Sequence, residues 1–162
     1  MNKKLTHLNE QGRARMVDVS EKNKTKRIAK ATATVKLNEE TFNSVVNLGI
    51  KKGDVLAVSQ VAGIMGAKNT SDIIPMCHPI MLSGVDIEFI LKKELFEIQI
   101  IATTKCVGET GVEMEALSAV SIASLTIYDM CKALQRDIEI TDIKLLEKSG
   151  GKSGNFKRNE GM

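Results

Sequence analysis

The sequence predicts an α+β fold, a ferredoxin-like βαββαβ sandwich in which an antiparallel sheet carries its helices on one face. Three observations point there. A period-two strand comes early, a β-hairpin with a short charged turn occupies the middle, and a long apolar helix followed by a last strand closes the chain. With 162 residues, 43% of them hydrophobic and 27% charged, the chain suits one globular domain with a true core.

Each element has its own signal. From Arg27 to Leu37, Ala29, Ala31, Ala33 and Val35 alternate with Lys30, Thr32, Thr34 and Lys36, which is a strand with one wet face. Asn38 suits an N-cap, Glu39 and Glu40 favour a first helical turn, and Gly49 marks a stop. Asp54 caps a second helix through Val55, Val58, Ala62 and Met65, weakened by Gly63 and Gly66 and ending near Lys68. A loop with Pro75 and Pro79 leads to Val85, Ile87, Phe89 and Leu91, a Lys92-Lys93-Glu94 turn, and Phe96, Ile98, Ile100 and Ala102. Val112 to Gln135 reads as one helix, with Thr110 and Glu113 as a capping box. Ile138, Ile140, Ile143 and Leu145 form the last strand, whose alternation slips once, as at a bulge. The long helix is apolar almost all round, so a second subunit is the simplest cover for its far side.

Composition excludes several classes. The longest charge-free apolar stretch of the long helix, Ala116 to Tyr128, falls short of the roughly 20 residues a membrane span needs. No apolar segment follows the first lysines, so no secretory signal is visible. Cys77, Cys106 and Cys131 form no Cys-x-x-Cys pair; they read as reduced thiols of a cytoplasmic protein without a zinc site. Residues 1–30 carry nine Lys/Arg against three Asp/Glu and residues 144–162 five against two, leaving an acidic middle. We therefore expect a flexible basic N-terminal arm over 1–14, a single α+β domain over 15–147, and a flexible basic glycine-rich C-terminal arm over 148–162. Such arms either stay solvated or close over an anion. With five aromatics in all, stacking of nucleic-acid bases is not expected.

Several positions carry chemistry. His78 sits in Met76-Cys77-His78-Pro79, where the following proline restricts its backbone. An isolated histidine is as often structural, but the loop setting favours function. Cys77 is a poor nucleophile candidate, because adjacent residues do not readily form a thiol–imidazole hydrogen bond. Glu113 is explained by the capping box; Glu115 is not, and two carboxylates at a helix start beside Lys105 suit proton transfer or the holding of a cationic ring. Asp129 and Lys132 are neighbours on one helix face, an ordinary ion pair unless the apolar surroundings bury them and bring their pKa values toward neutrality. Lys51-Lys52-Gly53-Asp54 sets cations before a helix start, where an anion binds readily. Gly151-Lys152-Ser153 mimics part of a P-loop, but Leu146 stands where the first glycine is needed, which leaves a basic glycine-rich arm able to wrap phosphate. Glu115 and Asp129, 14 positions apart, stand about 21 Å apart on one helix, so they can share a small-molecule site only across two chains.

Seven segments carry a resemblance: Leu5-Thr6-His7-Leu8, Arg15-Met16-Val17-Asp18-Val19, Lys52-Gly53-Asp54-Val55, Ile74-Pro75-Met76-Cys77-His78-Pro79, Gly111-Val112-Glu113-Met114-Glu115-Ala116-Leu117, Tyr128-Asp129-Met130-Cys131-Lys132-Ala133, and Lys148-Ser149-Gly150-Gly151-Lys152-Ser153-Gly154. In this order they closely resemble the cyclic pyranopterin monophosphate synthase family, accessory protein C of molybdenum cofactor biosynthesis, over roughly residues 5–156. The resemblance implies a lyase that converts (8S)-3′,8-cyclo-7,8-dihydroguanosine 5′-triphosphate to cyclic pyranopterin phosphate and releases pyrophosphate. It also implies a ferredoxin-like fold and a homo-hexamer, a trimer of dimers with sites at subunit interfaces. Carried over by motif, Asp129 acts with Lys52 and Lys132 as acid/base groups. Met76, Cys77, His78, Glu113, Met114 and Glu115 line the substrate site. Arg15, Lys148 and Lys152 are assigned to the triphosphate from their charge. No redox cofactor is expected; Mg2+ on the triphosphate would suit carboxylates and phosphates, although no ligand set is legible. The competing reading is a non-catalytic nucleotide- or RNA-binding module with basic arms, which requires exposed aromatics on the sheet where the hairpin offers only Phe89 and Phe96.

Overall fold

A computed structural model describes residues 8–152 and 154–159. The elements run β1 (Thr25–Lys36), α1 (Glu39–Val46), α2 (Val55–Lys68), α3 (Thr70–Ile73), β2 (Leu82–Lys92), β3 (Glu97–Gly108), α4 (Glu113–Cys131), β4 (Glu139–Ser149) and β5 (Phe156–Lys157). The sheet is antiparallel in the order β2-β3-β1-β4-β5. Its first four strands have the ferredoxin-like arrangement, and β5 adds a short edge beside β4.

The sandwich closes because both facing surfaces are built from small residues. Ala29, Ala31 and Ala33 on β1 and Ala116, Ala119 and Ala123 on α4 are fully buried, so the helix axis lies close to the sheet. Phe42, Ile98, Ile100 and Ile127 fill what remains, and Phe42 meets Phe96 edge to face at 6.0 Å. Asn38 accepts from the Thr41 amide at 2.8 Å and Asp54 from the Ala57 amide at 3.0 Å, which fixes where α1 and α2 begin. The slip of the last strand is real: pairing between β1 and β4 shifts register twice, and Asp142 adopts φ +54.

Four details differ from the sequence reading. Helix α4 starts at Glu113 with Val112 as N-cap and no side-chain cap bond, so Thr110 and Glu113 form no capping box. Its carboxylate is drawn instead to Lys148. The helix ends at Cys131 rather than Gln135, whose side-chain carbonyl accepts from the Asn38 amide and ties the turn to the start of α1. Phe96 is not a strand residue but closes the 3-10 turn of the hairpin at φ +52. Leu48, not Gly49, takes the left-handed conformation after α1. The second side of α4 is covered in part within the chain, because α2 lies across it with Gly63 and Gly66 at the crossing. Apolar surface continues beyond, on Val58, Val61 and Met65 of α2 and Leu125 of α4. No helix among the described residues is long and apolar enough to cross a membrane.

Candidate functional site

The two ends of α4 carry separate groups of the residues singled out above. At its start, a cleft of about 280 Å³ opens between Met76, Cys77 and His78 on one side and Glu113, Met114 and Glu115 on the other. Val17 and Val19 of the N-terminal segment line it too, and the His78 Nε2 lies 2.7 Å from the Val17 carbonyl. A carbonyl only accepts, so that nitrogen carries a hydrogen and donates it. His7 lies outside the described residues.

Glu115 is 3% exposed, and its Oε2 meets no hydrogen-bond donor among the described residues. Burial pushes its carboxyl up to about 6, against the opposing bond from its own amide, and the Glu113 charge adds to the rise. It therefore sits in the range where a carboxyl both gives and takes protons near neutral pH. Burial also raises the Cys77 thiol, with Glu115 adding to it, so the thiol stays protonated and a nucleophilic role is unfavourable. Burial raises Cys131 to about 11; it also raises Cys106, with the Glu115 charge adding to the rise, and all three cysteines are free thiols.

A second cavity, about 570 Å³, shares Lys22, Thr110, Gly111 and Glu113 with the first. Arg27, Lys148, Gly151 and Lys152 supply most of its remaining character. It is thus a cationic recess joined to a smaller cleft that holds a carboxyl and an imidazole. Lys148 donates to Glu113 at 2.7 Å. Lys148 also lies within β4, which runs through Ser149 before the glycine turn, and Phe156 pairs back beside it. Arg15 precedes Val17 by two residues and lies on the wall of neither cavity.

Sequence reasoning left Lys22 and Arg27 unassigned. Arg27 is 8% exposed and has no carboxylate within ion-pair distance among the described residues. Its Nε donates to Gly108 O at 3.2 Å and its Nη2 to Glu109 O at 3.1 Å. The signal was present: Arg27 shares the phase of Ala29, Ala31 and Ala33, the strand's buried face.

At the other end of α4, Asp129 accepts from Lys132 at 2.7 Å and from Lys52 at 3.0 Å. Lys52 also donates to the Asp129 backbone carbonyl at 2.7 Å, fastening the loop before α2 to the end of α4. Burial of this pair, expected from its apolar neighbours, is not found: the side chains of Asp129 and Lys132 are 57% and 52% exposed within the chain. Tyr128, Met130 and Cys131 point elsewhere because successive helical residues are turned by about 100°. The hydrogen bond from Lys132, then that from Lys52, holds the Asp129 carboxyl below its usual range, and Asp129 in turn raises Lys132. The group is an ion-paired triad that faces solvent in a single chain.

The match to known proteins decides the family. Residues 16–151 match the profile of the MoaC family. The chain belongs to the MoaC family. A protein of Thermoanaerobacter sp. (strain X514) named cyclic pyranopterin monophosphate synthase is 62% identical over 154 residues, which cover 95% of this chain and 98% of that protein. Proteins of the same name from Peptoclostridium acidaminophilum and Clostridium acetobutylicum (strain ATCC 824) are 61% and 59% identical, over 94% and 98% of this chain and 96% and 98% of their own lengths. Both cavities and the Lys52–Asp129–Lys132 triad lie within the matched MoaC region, apart from Lys152, which directly follows it. Phe89 and Phe96 pack against the core of this MoaC protein, so the hairpin offers no aromatic platform for bases.

Proposed function

We propose that this chain is a cyclic pyranopterin monophosphate synthase: it converts (8S)-3′,8-cyclo-7,8-dihydroguanosine 5′-triphosphate to cyclic pyranopterin phosphate and pyrophosphate in molybdenum cofactor biosynthesis. The observation that carries this reading is the near full-length identity to proteins of that name, joined to a cationic recess that opens into a carboxyl- and imidazole-lined cleft. The recess takes the triphosphate, with Lys148 and Lys152 on its wall and Arg15 brought in from the N-terminal segment, and neutralises the departing pyrophosphate. The cleft takes the guanine-derived rings against Met76, Cys77, His78 and Met114. Glu113 stands between the two, and Glu115 exchanges protons with the ring system.

Asp129, Lys52 and Lys132 complete the acid/base set, but from a second chain. Their distance of about 21 Å along α4 from Glu115 exceeds the reach of one small molecule. In this reading the working form is a homo-hexamer, a trimer of dimers, whose sites are shared between chains. The exposed apolar residues of α2 and α4 are surfaces such an assembly would bury. Ring opening, ring closure and pyrophosphate expulsion move protons without net electrons, so no redox cofactor takes part; magnesium would enter only on the triphosphate oxygens. The free thiols suit the reducing cytoplasm.

The test is turnover of the cyclic nucleotide triphosphate, followed by subunit mixing. Glu115→Ala and Asp129→Ala are each expected to be inactive, and co-assembly of the two to restore part of the activity at interfaces carrying both intact groups. Turnover by Asp129→Ala or Lys52→Ala at the parent rate would refute the assigned roles, and no recovery in verified mixed oligomers would refute the shared site.

A further inference from the structure

Arg27 contributes a planar cation to the face of β1 that carries Ala29, Ala31, Ala33 and Val35, and two surfaces close on it. On one side its fork donates to the carbonyls of Gly108 and Glu109, at the end of β3. On the other lies the turn after β4, where Gly150 and Gly151 adopt φ +95 and φ +80. A Cβ on Gly151 would fall on the Nη1 of Arg27 and lie 2.6 Å from its Cζ; one on Gly150 would fall on the backbone carbonyl of Lys26. Both approaches are closer than any side chain permits, and the left-handed backbone independently favours glycine. The turn begins directly after Ser149, the last residue of β4, which pairs with Ile28. Lys148 and Lys152 flank it and line the cationic cavity with Arg27.

We propose that Arg27 is a positioning residue acting through Gly151: its guanidinium fills the volume that a side chain at 151 would need, so the glycine turn closes flat over it and fixes Lys148 and Lys152 on the wall that faces the polyphosphate. The inference rests on the assignment of that cavity to the triphosphate. A lysine at position 27 keeps the charge but cannot hold both carbonyls with one planar fork, nor present the flat surface on which the turn rests. What is specified is therefore a shape, and the charge of Arg27 alone is not sufficient.

Gly151→Asn separates sterics from backbone strain, because asparagine tolerates positive φ while adding a side chain. With inorganic tripolyphosphate as the calorimetric probe, Gly151→Asn and Arg27→Lys are each expected to weaken binding about tenfold, the loss of roughly one well-oriented charge-assisted contact. Both should raise KM by a larger factor than they lower kcat, and both should speed tryptic cleavage after Lys152. In the Arg27→Lys background, Gly151→Asn should cost less than in the parent, since the group it strikes is gone. Parent-level tripolyphosphate affinity in either variant, or equal cost of Gly151→Asn in both backgrounds, overturns the proposal. Should Arg27→Lys fail to fold, Gly151→Asn alone decides it by affinity and cleavage rate. A parent protein that binds tripolyphosphate yet does not turn over the cyclic nucleotide would refute the proposed function and leave the lock intact.

Discussion

Lys148 and Glu113 meet at 2.7 Å across 35 positions of sequence, and this bond fastens the end of β4 to the first turn of α4. Both side chains are about three-quarters buried, which places the pair between the exposed bridges that add little and the buried ones whose desolvation cancels their attraction. The carboxylate also stands at a helix start, where negative charge is favoured. A double-mutant cycle with Glu113→Gln and Lys148→Gln should give a coupling of about 1 kcal/mol in urea unfolding. A coupling of zero would show that the two are held in place separately.

The pair also shows what could and could not be read from the chain. Alternation and capping residues located β1, α2 and the hairpin, because those signals are local: Ala29, Ala31 and Ala33 face one way whatever surrounds them, and Asp54 caps its own helix. Thr32 and Thr34, on the face of β1 expected to be wet, are nevertheless buried, and Phe96 belongs to the turn. Glu113 was misassigned to a local capping box because its true partner, Lys148, is brought near only by the pairing of β4 with β1. Asp129 was misjudged in the same way, since apolar neighbours in sequence do not say which side of a helix they occupy in space. The site motifs themselves were legible; their division between the two ends of α4 followed from helix geometry alone. Arg27 was the real omission, a charge in core phase whose role depends on a turn 124 positions away.

Glu115 makes stability depend on pH with a definite sign. Its carboxyl titrates near 6 when folded and near 4.5 when unfolded, so the folded chain holds the proton more tightly. Raising the pH from 4.5 through 6 therefore costs stability, reaching about 2 kcal/mol above that window. Glu115→Gln, although inactive, should be more stable than the parent at pH 8 by about 1–2 kcal/mol and lose this advantage by pH 4.5. Urea titrations at pH 4.5, 6 and 8 check it; an advantage independent of pH would point away from the buried charge.

Gly66 sets two opposing effects against each other. Alanine would add about 1 kcal/mol of helix propensity to α2. Its Cβ would stand 2.8 Å from the Ile122 Cγ1, 2.9 Å from its Cβ and 3.2 Å from the Ser118 carbonyl, where α2 crosses α4. Overpacking of this kind typically costs 1–3 kcal/mol, so Gly66→Ala should come out net destabilised by roughly 1 kcal/mol. In an Ile122→Ala background, which lacks the Cγ1, the same substitution should cost less in thermal melts than it does in the parent. A stabilised single variant would mean that the two helices separate freely.

Asp129 should divide activity from stability more cleanly than any other position. Its carboxyl is depressed by the hydrogen bond from Lys132 first and that from Lys52 next, so whatever it adds to stability is present above its ordinary value of 3.8 and disappears only as the pH falls through the lower folded value. At neutral pH it is fully ionised, and it faces water with its partners in the isolated chain, where such bridges contribute little. Asp129→Asn keeps the size and an acceptor oxygen but removes the charge and the ability to take a proton. The melting temperature at pH 7.5 should therefore stay close to the parent's, while turnover falls by at least about a hundredfold, the usual contribution of a positioned acid or base. Any acidic limb of the rate profile near pH 6 would belong to Glu115, because Asp129 titrates well below it. If Asp129→Asn instead melts far below the parent while turning over normally, Lys52 and Lys132 fasten the fold at this end of α4 and the proton-transfer role falls.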